Sequence, residues 1–402
     1  MDASVALVHD YLLVRRGAER TFLEMATLWP EAPVHTLLYD EAGIGEDLHG
    51  RDVRTSYLQR LPWRQGGFRR LLPLCAHATG TLDLEPYDLV VSSSSAFAHG
   101  VQTREDAVHV CYCYTPFRYA WFEEARALAE VPSPLRPLLR RTLRASRRWD
   151  LDAAQRVSRY VAISELSRER IARYLGRDAE IVHPPVALDR FAPTEGEDFF
   201  LVVSELVRHK QIGLALEAAH SAGQRIKVVG SGPDTERLAA AYPQAEFLGR
   251  ISDAELADLY PRCRALVVPN VEEFGIAAVE VQASGRPVLA IDGGGARETV
   301  LEQATGVFVP RGDASRMAAA MTGTDWDGFA REDLLANAER FSAGRFHERM
   351  LEQVDRAWTE AKCPGGASER PRRPSVARPS GRFQGTASAG SPQPLIEGDR
   401  GA

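Results

Sequence analysis

Short runs rich in β-branched and aliphatic residues alternate with longer segments of helical periodicity, and this rhythm runs through the chain twice. Residues 5–8, 34–38, 88–93, 108–114 and 160–164 form the first series. Residues 199–204, 226–229, 246–248, 265–269, 288–291 and 307–309 form the second. Strands separated by helices pair through crossovers rather than hairpins, so each series predicts a parallel sheet covered by helices. The expected fold class is α/β with two such units, and 402 residues are enough for two domains of ordinary size.

Between the two series, His183-Pro184-Pro185, Phe191-Ala192-Pro193 and the acidic stretch from Glu195 to Asp198 have the composition of a linker. The boundary is expected near residue 195, giving an N-terminal domain over 1–195 and a C-terminal domain over 196–340. Phe346, Met350, Val354 and Trp358 recur at helical spacing, so 341–360 is expected as an amphipathic helix that packs back on the first domain. Residues 363–402 are dominated by Pro, Gly, Ser and Arg and read as a disordered tail.

Composition bounds the partners. A formal net charge of -6 argues against a general electrostatic hold on nucleic acid. Five cysteines without CxxC spacing fit reduced thiols, and the first ten residues lack the features of a secretory leader, so a cytoplasmic location is expected. His109, Cys111 and Cys113 lie close together, but they alternate along an apolar strand without a second group of ligands, and no metal is expected there. Asp150 and Asp152 sit in an Arg-rich helical context and read as structural.

The most informative segment is Val271-Glu272-Glu273-Phe274-Gly275-Ile276-Ala277-Ala278-Val279-Glu280, which follows a strand and leads into an apolar helix. The free amides of a first helical turn and the positive end of its dipole suit a diphosphate, and Gly275 permits close approach. A carboxylate accepts two hydroxyl hydrogen bonds, which suits Glu280 to a ribose diol and Glu272 to the hydroxyls of a sugar. Eight residues of helix span about 12 Å, the scale of a nucleotide sugar from hexose to ribose. Taken alone, Glu272 and Glu273 would serve equally as helix-start acids and Glu280 as a solvated face residue.

The E-x7-E spacing with an embedded Phe-Gly-Ile resembles the donor-site signature of the family 4 retaining glycosyltransferases. Phe200 to Lys210, Val228 to Pro233, Phe247 to Ser252 and Gly293 to Thr299 resemble that family in order and spacing. In the first half, Val8-His9-Asp10-Tyr11-Leu12, Arg16 to Arg20 and Cys111 to Trp121 resemble its O-antigen-type mannosyltransferase branch. The resemblance covers residues 4–358 and implies the GT-B fold, two Rossmann-like domains facing each other across a cleft.

It implies that Lys210 contacts the donor diphosphate and stabilises the charge that grows as the glycosidic bond breaks. Gly230, Gly232, Arg250 and Ile251 would line the nucleobase pocket and Glu280 would bind ribose. Glu272 and the backbone of Phe274, Gly275 and Ile276 would meet the sugar and phosphates. Retention at the anomeric carbon, no required metal or cofactor, a GDP-mannose donor and a glycan or lipid-linked glycan acceptor follow from the same resemblance.

Three positions depart from the family pattern. Glu205 stands where an arginine partners the lysine, reversing the charge, with Arg208 as the candidate substitute. Tyr114 stands where many members place a histidine toward the sugar; its phenol can hydrogen-bond a hydroxyl but is a poorer proton shuttle near neutral pH. Arg16 replaces the first glycine of a Gly-Gly turn, leaving Gly17. A nucleotide-sugar epimerase or phosphorylase would share the two lobes, but neither the acid-base carboxylates and histidine of the one nor the cofactor lysine and longer chain of the other is evident in this sequence. The departures also admit a binding protein that has lost turnover.

Leu135, Leu138, Leu139, Leu143 and Trp149 interleave with Arg136, Arg140, Arg141, Arg144, Arg147 and Arg148, and Trp63, Arg64, Arg69 and Arg70 form a smaller cluster. Such a stretch over 135–149 fits either an anionic membrane surface, on the inner face of the plasma membrane, or a core helix with solvated arginines.

Overall fold

The computed structural model describes residues 3–61 and 71–362. The 363–402 tail and the Trp63, Arg64, Arg69 and Arg70 cluster lie outside the described residues.

The first sheet contains β1 (Val5–His9), β2 (Val34–Thr36), β3 (Val53–Thr55), β4 (Leu89–Ser94), β5 (Val108–Cys113), β6 (Arg159–Ala162) and β7 (Ala179–Ile181). Its order is β3-β2-β1-β4-β5-β6-β7, with every pairing parallel. The second contains β8 (Phe200–Val203), β9 (Ile226–Val229), β10 (Glu246–Gly249), β11 (Ala265–Val268), β12 (Val288–Ile291) and β13 (Gly306–Val309), ordered β10-β9-β8-β11-β12-β13 and again parallel. The α/β class and two Rossmann-like units are as expected.

The central strands β4, β5, β11 and β12 are buried at every residue, as parallel strands covered on both faces must be. Sequence reading missed β3 and β7. Each is three residues long with a charged centre, Arg54 or Glu180, and so offers no apolar run.

Helix α1 (Gly17–Ala26) follows β1, and α2 (Arg136–Ala154) lies between β5 and β6. Helix α3 (Ile276–Ala283) follows β11. The last helix, α4 (Ala343–Lys362), buries Phe346, Met350, Val354 and Ala357 along one stripe. It packs on β5 and β6, with the Phe346 ring edge-on to Tyr112 at 5.7 Å. Burying each of Phe346, Met350 and Val354 stabilises the fold by roughly 1.5–3 kcal/mol. The apolar cluster under the first sheet continues through Phe274, Val279 and Ala283 of the second half, so the two sheets share packing at their junction.

Candidate functional site

In an open parallel sheet, the crevice forms where strand order reverses, between the first strand and the one that starts the second wing. In the first sheet this point lies between β1 and β4, and in the second between β8 and β11. The loops leaving those four strands carry most of the residues that matter.

Asp10, just past β1, is buried, and its two carboxylate oxygens accept backbone N–H bonds from Ser95, Ala96, Phe97 and Ala98 at 2.5–3.0 Å. Burial pushes its pKa up while these amides pull it down. One side chain thus fastens the two loops beside the first switch point. The chain then turns through Arg16 into α1, where the Glu19 carboxylate accepts the Arg16 backbone N–H at 3.1 Å.

On the opposite sheet, Lys210 ends a single helical turn after β8, and its ammonium donates to both oxygens of Glu272, at 2.7 and 2.6 Å. Asn270 donates to the same carboxylate at 3.0 Å. Glu272 lies ahead of α3 rather than on it, because Gly275, at φ 94°, turns the chain into a helix that begins at Ile276. The loop over 293–295 holds this turn in place. Gly295 donates its N–H to the Glu272 carbonyl at 3.0 Å, and a Cβ at Gly295 would lie 2.3 Å from the Phe274 backbone.

Glu280, one turn into α3, is buried and accepts the Tyr260 hydroxyl at 2.7 Å. Burial raises its pKa, partly offset by Tyr260 and by the charges of Arg20 and Arg190. Both of those arginines pair with Asp253, at the start of the helix after β10, Arg190 at 3.4 Å.

The two crevices face each other. A methyl placed on Gly17 would come 3.3 Å from Ile276 Cδ1, so the N-termini of α1 and α3 meet across the cleft. Two positive helix ends therefore lie close together, which favours an anion beside them. Ion pairs flank it: Arg16 to Glu205 at 3.9 Å, Arg170 to Glu273 at 2.9 Å and Arg118 to Glu273 at 3.6 Å. Burial works against a charge on Glu273, yet Arg118 and Arg170 hold its carboxyl below the ordinary range. Behind them, Glu298 takes the His183 ring at 2.9 Å and the Glu165 backbone N–H at 2.9 Å.

The structure therefore brings together Lys210, Glu272, Phe274, Gly275, Ile276 and Gly17, with Glu280 on the same helix. Gly230 and Gly232 pack where a Cβ would lie 1.8 Å from the Ser204 carbonyl oxygen and 2.3 Å from that of Leu206. Arg250 is exposed and Ile251 half-buried in the loop after β10. One expectation needs correction. Tyr114 does not present a free hydroxyl to a sugar: it is buried, donates to the Ala18 carbonyl at 2.8 Å and accepts from Ser93 at 3.0 Å. Ser93 in turn meets His9 at 3.0 Å, so the phenol supports the start of α1. Arg208, the candidate substitute for the arginine that partners the lysine, is exposed on the same helical turn as Lys210 and lines a groove with Gln211, Glu217, Asp234 and Arg237, and Glu205 pairs with Arg16.

Sequence reading missed Arg16 as a partner, and also Arg20, Arg170, Arg190, Asp253, Tyr260 and His183. Among the described residues no group of three or more His, Cys, Asp or Glu side chains could hold a metal ion. Asp150 belongs to a buried network with His99 at 2.7 Å and the Trp121 indole.

Helix α2 shows a split face. Leu143 is buried and Arg147 and Arg140 pair with Glu124, while Leu135 and Leu138 are 52% and 65% exposed beside exposed Arg136, Arg141, Arg144 and Arg148. Among the described residues no helix is long and apolar enough to cross a membrane.

Comparison with known proteins assigns both halves. The family model described as Glycosyltransferase Family 4 matches residues 15–190, and that described as Glycosyl transferases group 1 matches residues 188–339. A D-inositol 3-phosphate glycosyltransferase from Mycolicibacterium paratuberculosis is 30% identical over 351 residues, 77% of this chain and 74% of the relative. A protein of the same name from Geodermatophilus obscurus is 30% identical over 271 residues, 58% of this chain, and the match spans 59% of the relative's length. A GDP-mannose-dependent alpha-mannosyltransferase from Mycobacterium tuberculosis is 32% identical over 141 residues, 32% of this chain and 37% of the relative. The solved structure of Anabaena HepE in complex with UDP and glucose superimposes with a TM-score of 0.65 at 16% identity, covering 88% of this chain and 99% of that one, a likeness of fold.

Proposed function

Since the chain belongs to the family 4 glycosyltransferases of the GT-B fold, we propose that it transfers a hexose from a nucleotide sugar to a glycan acceptor with retention at the anomeric carbon. The donor is GDP-mannose and the acceptor is carried on a lipid. The observation that carries this reading is the convergence of Lys210, Glu272 and the α3 N-terminus on the N-terminus of α1.

A diphosphate seated between the two helix ends replaces Glu272 as the partner of Lys210. The released carboxylate is then free to accept sugar hydroxyls, while Lys210 and the helix amides stabilise the charge developing on the leaving diphosphate. Glu280, fixed by Tyr260, accepts the ribose diol. Gly230, Gly232, Arg250 and Ile251 bound the nucleobase. The leaving diphosphate itself takes the acceptor's proton on the same face, since the phenol of Tyr114 is engaged elsewhere.

The GDP-mannose assignment draws support from the Mycobacterium tuberculosis relative named for that donor. The exposed Leu135 and Leu138 among the arginines of α2 support peripheral attachment to the anionic inner face of the plasma membrane, where a lipid-linked acceptor would lie. The test is a transfer assay with GDP-mannose and a lipid-diphosphate glycan, reading the product's anomeric configuration by NMR. Retained α-configured product supports the reading and inverted product overturns it. Tight donor binding without turnover against any acceptor would favour the second reading, a nucleotide-sugar-binding protein, for which the engaged Tyr114 hydroxyl is the supporting observation.

A further inference from the structure

Two cations of the site are each held by a carboxylate of the second half. Lys210 is held by Glu272 and Arg16 by Glu205. The two pairs are built differently. Lys210 and Glu272 are half-buried, with both carboxylate oxygens within 2.7 Å of the ammonium. Arg16 and Glu205 meet through one contact at 3.9 Å, their side chains 65% and 51% exposed. An exposed single-contact pair contributes little and exchanges easily.

The direction of Arg16 is set locally. Glu19 fixes its backbone N–H at the start of α1, and the neighbouring Arg15 turns to Asp47, within the same half, at 3.2 Å. Arg16 alone of this Arg15-Arg16 pair reaches across the cleft, and it does so one residue before Gly17, which abuts Ile276 at the head of α3. Glu205 lies in the loop between β8 and the turn that carries Lys210, at the second sheet's switch point. A diphosphate entering between the helix ends would therefore meet Arg16 on one side and Lys210 on the other. A diphosphate carries more charge than one carboxylate and can meet the guanidinium through two oxygens, where Glu205 makes a single contact at 3.9 Å, so it outcompetes Glu205 for Arg16.

We infer that Arg16 is a diphosphate ligand delivered from the opposite half, and that Glu205 is the counter-ion the diphosphate displaces. This rests on the donor-site reading given above. It makes Glu205 a competitor of the donor rather than a ligand.

The experiment is calorimetric titration of the full chain with GDP and with GMP, at low and high salt, for the wild type and for Arg16→Ala, Arg16→Lys, Glu205→Gln and Lys210→Ala. Arg16→Ala is expected to weaken GDP roughly tenfold and GMP much less, with partial recovery in Arg16→Lys. Glu205→Gln is expected to tighten GDP severalfold, an effect that shrinks as salt rises. GDP affinity unchanged in Arg16→Ala but lost in Lys210→Ala would overturn the inference and leave the donor site standing. Weakening by Glu205→Gln as large as that by Arg16→Ala would also overturn it, since Glu205 would then be a ligand itself. GDP binding indifferent to both Lys210 and Arg16 would remove the donor site and this inference together.

Discussion

The ammonium of Lys210 sits 2.7 and 2.6 Å from the two carboxylate oxygens of Glu272, so the cation proposed to meet a diphosphate is paired with the carboxylate proposed to meet a sugar. On the proposed reading, donor binding separates them. Glu272→Gln keeps the shape and the Asn270 contact but weakens the hold on Lys210. Free nucleoside diphosphate should then bind several times more tightly, while transfer from the full nucleotide sugar falls roughly tenfold or more for want of the sugar contact. Parallel calorimetry and initial-rate measurements check this; equal loss for both ligands would mean that Glu272 does not change partners.

Glu280 should give donor binding an acidic limb above the usual carboxylate range. Burial raises its pKa, and the Tyr260 hydroxyl is the contact that most strongly opposes the shift. A ribose diol needs the ionised form as acceptor, so affinity rises as pH climbs through this raised pKa. Tyr260→Phe removes the donor that stabilises the carboxylate and should move the limb to higher pH. The dissociation constant measured against pH in both proteins decides it, and superimposable profiles would refute the coupling.

Tyr114→Phe should behave as a stability variant. Its hydroxyl joins Ser93 to the Ala18 carbonyl in a buried chain, and removing it leaves that carbonyl without this donor. The expected cost is about 1–3 kcal/mol in denaturant unfolding. KM for the donor should stay near the wild-type value. A large loss of kcat with unchanged stability would return the phenol to the substrate.

Attachment through α2 should depend on both its leucines and its arginines. Leu135 and Leu138 are exposed, so Leu135→Ser with Leu138→Ser should leave the fold intact while reducing sedimentation with vesicles containing anionic lipid. Arg141→Gln with Arg144→Gln should do the same, more strongly at low salt, because each basic residue near such a surface contributes up to about 1 kcal/mol. Binding insensitive to all four changes would place the contact elsewhere.

The parallel sheets are legible because their buried strands are continuous apolar runs, and the candidate site loops are legible through the resemblance of 271–280 and 293–299 to a known family pattern, the residues alone serving equally as helix-start acids. The edge strands β3 and β7 were not, since Arg54 and Glu180 interrupt three-residue runs. Glu272 and Glu280 read as flanking a helix start, and the structure agrees, with Gly275 turning the chain into a helix that begins at Ile276. Tyr114 was given to the wrong face. It lies two residues from Tyr112, and their rings meet at 5.4 Å in the core under the sheet, as the two-residue period of a strand requires. The ion pairs across the cleft, such as Arg16 with Glu205 and Arg170 with Glu273, join residues more than 100 positions apart, and nothing local in the sequence announces them.

The most direct test of a donor site built around Lys210 is calorimetric titration with GDP-mannose, UDP-glucose and UDP-GlcNAc of the wild type and of Lys210→Ala. Binding of GDP-mannose in preference to the others, lost in the variant while the far-UV circular dichroism spectrum is kept, is the predicted result. Wild-type affinity in Lys210→Ala, or no binding of any of the three by the wild type, would contradict it.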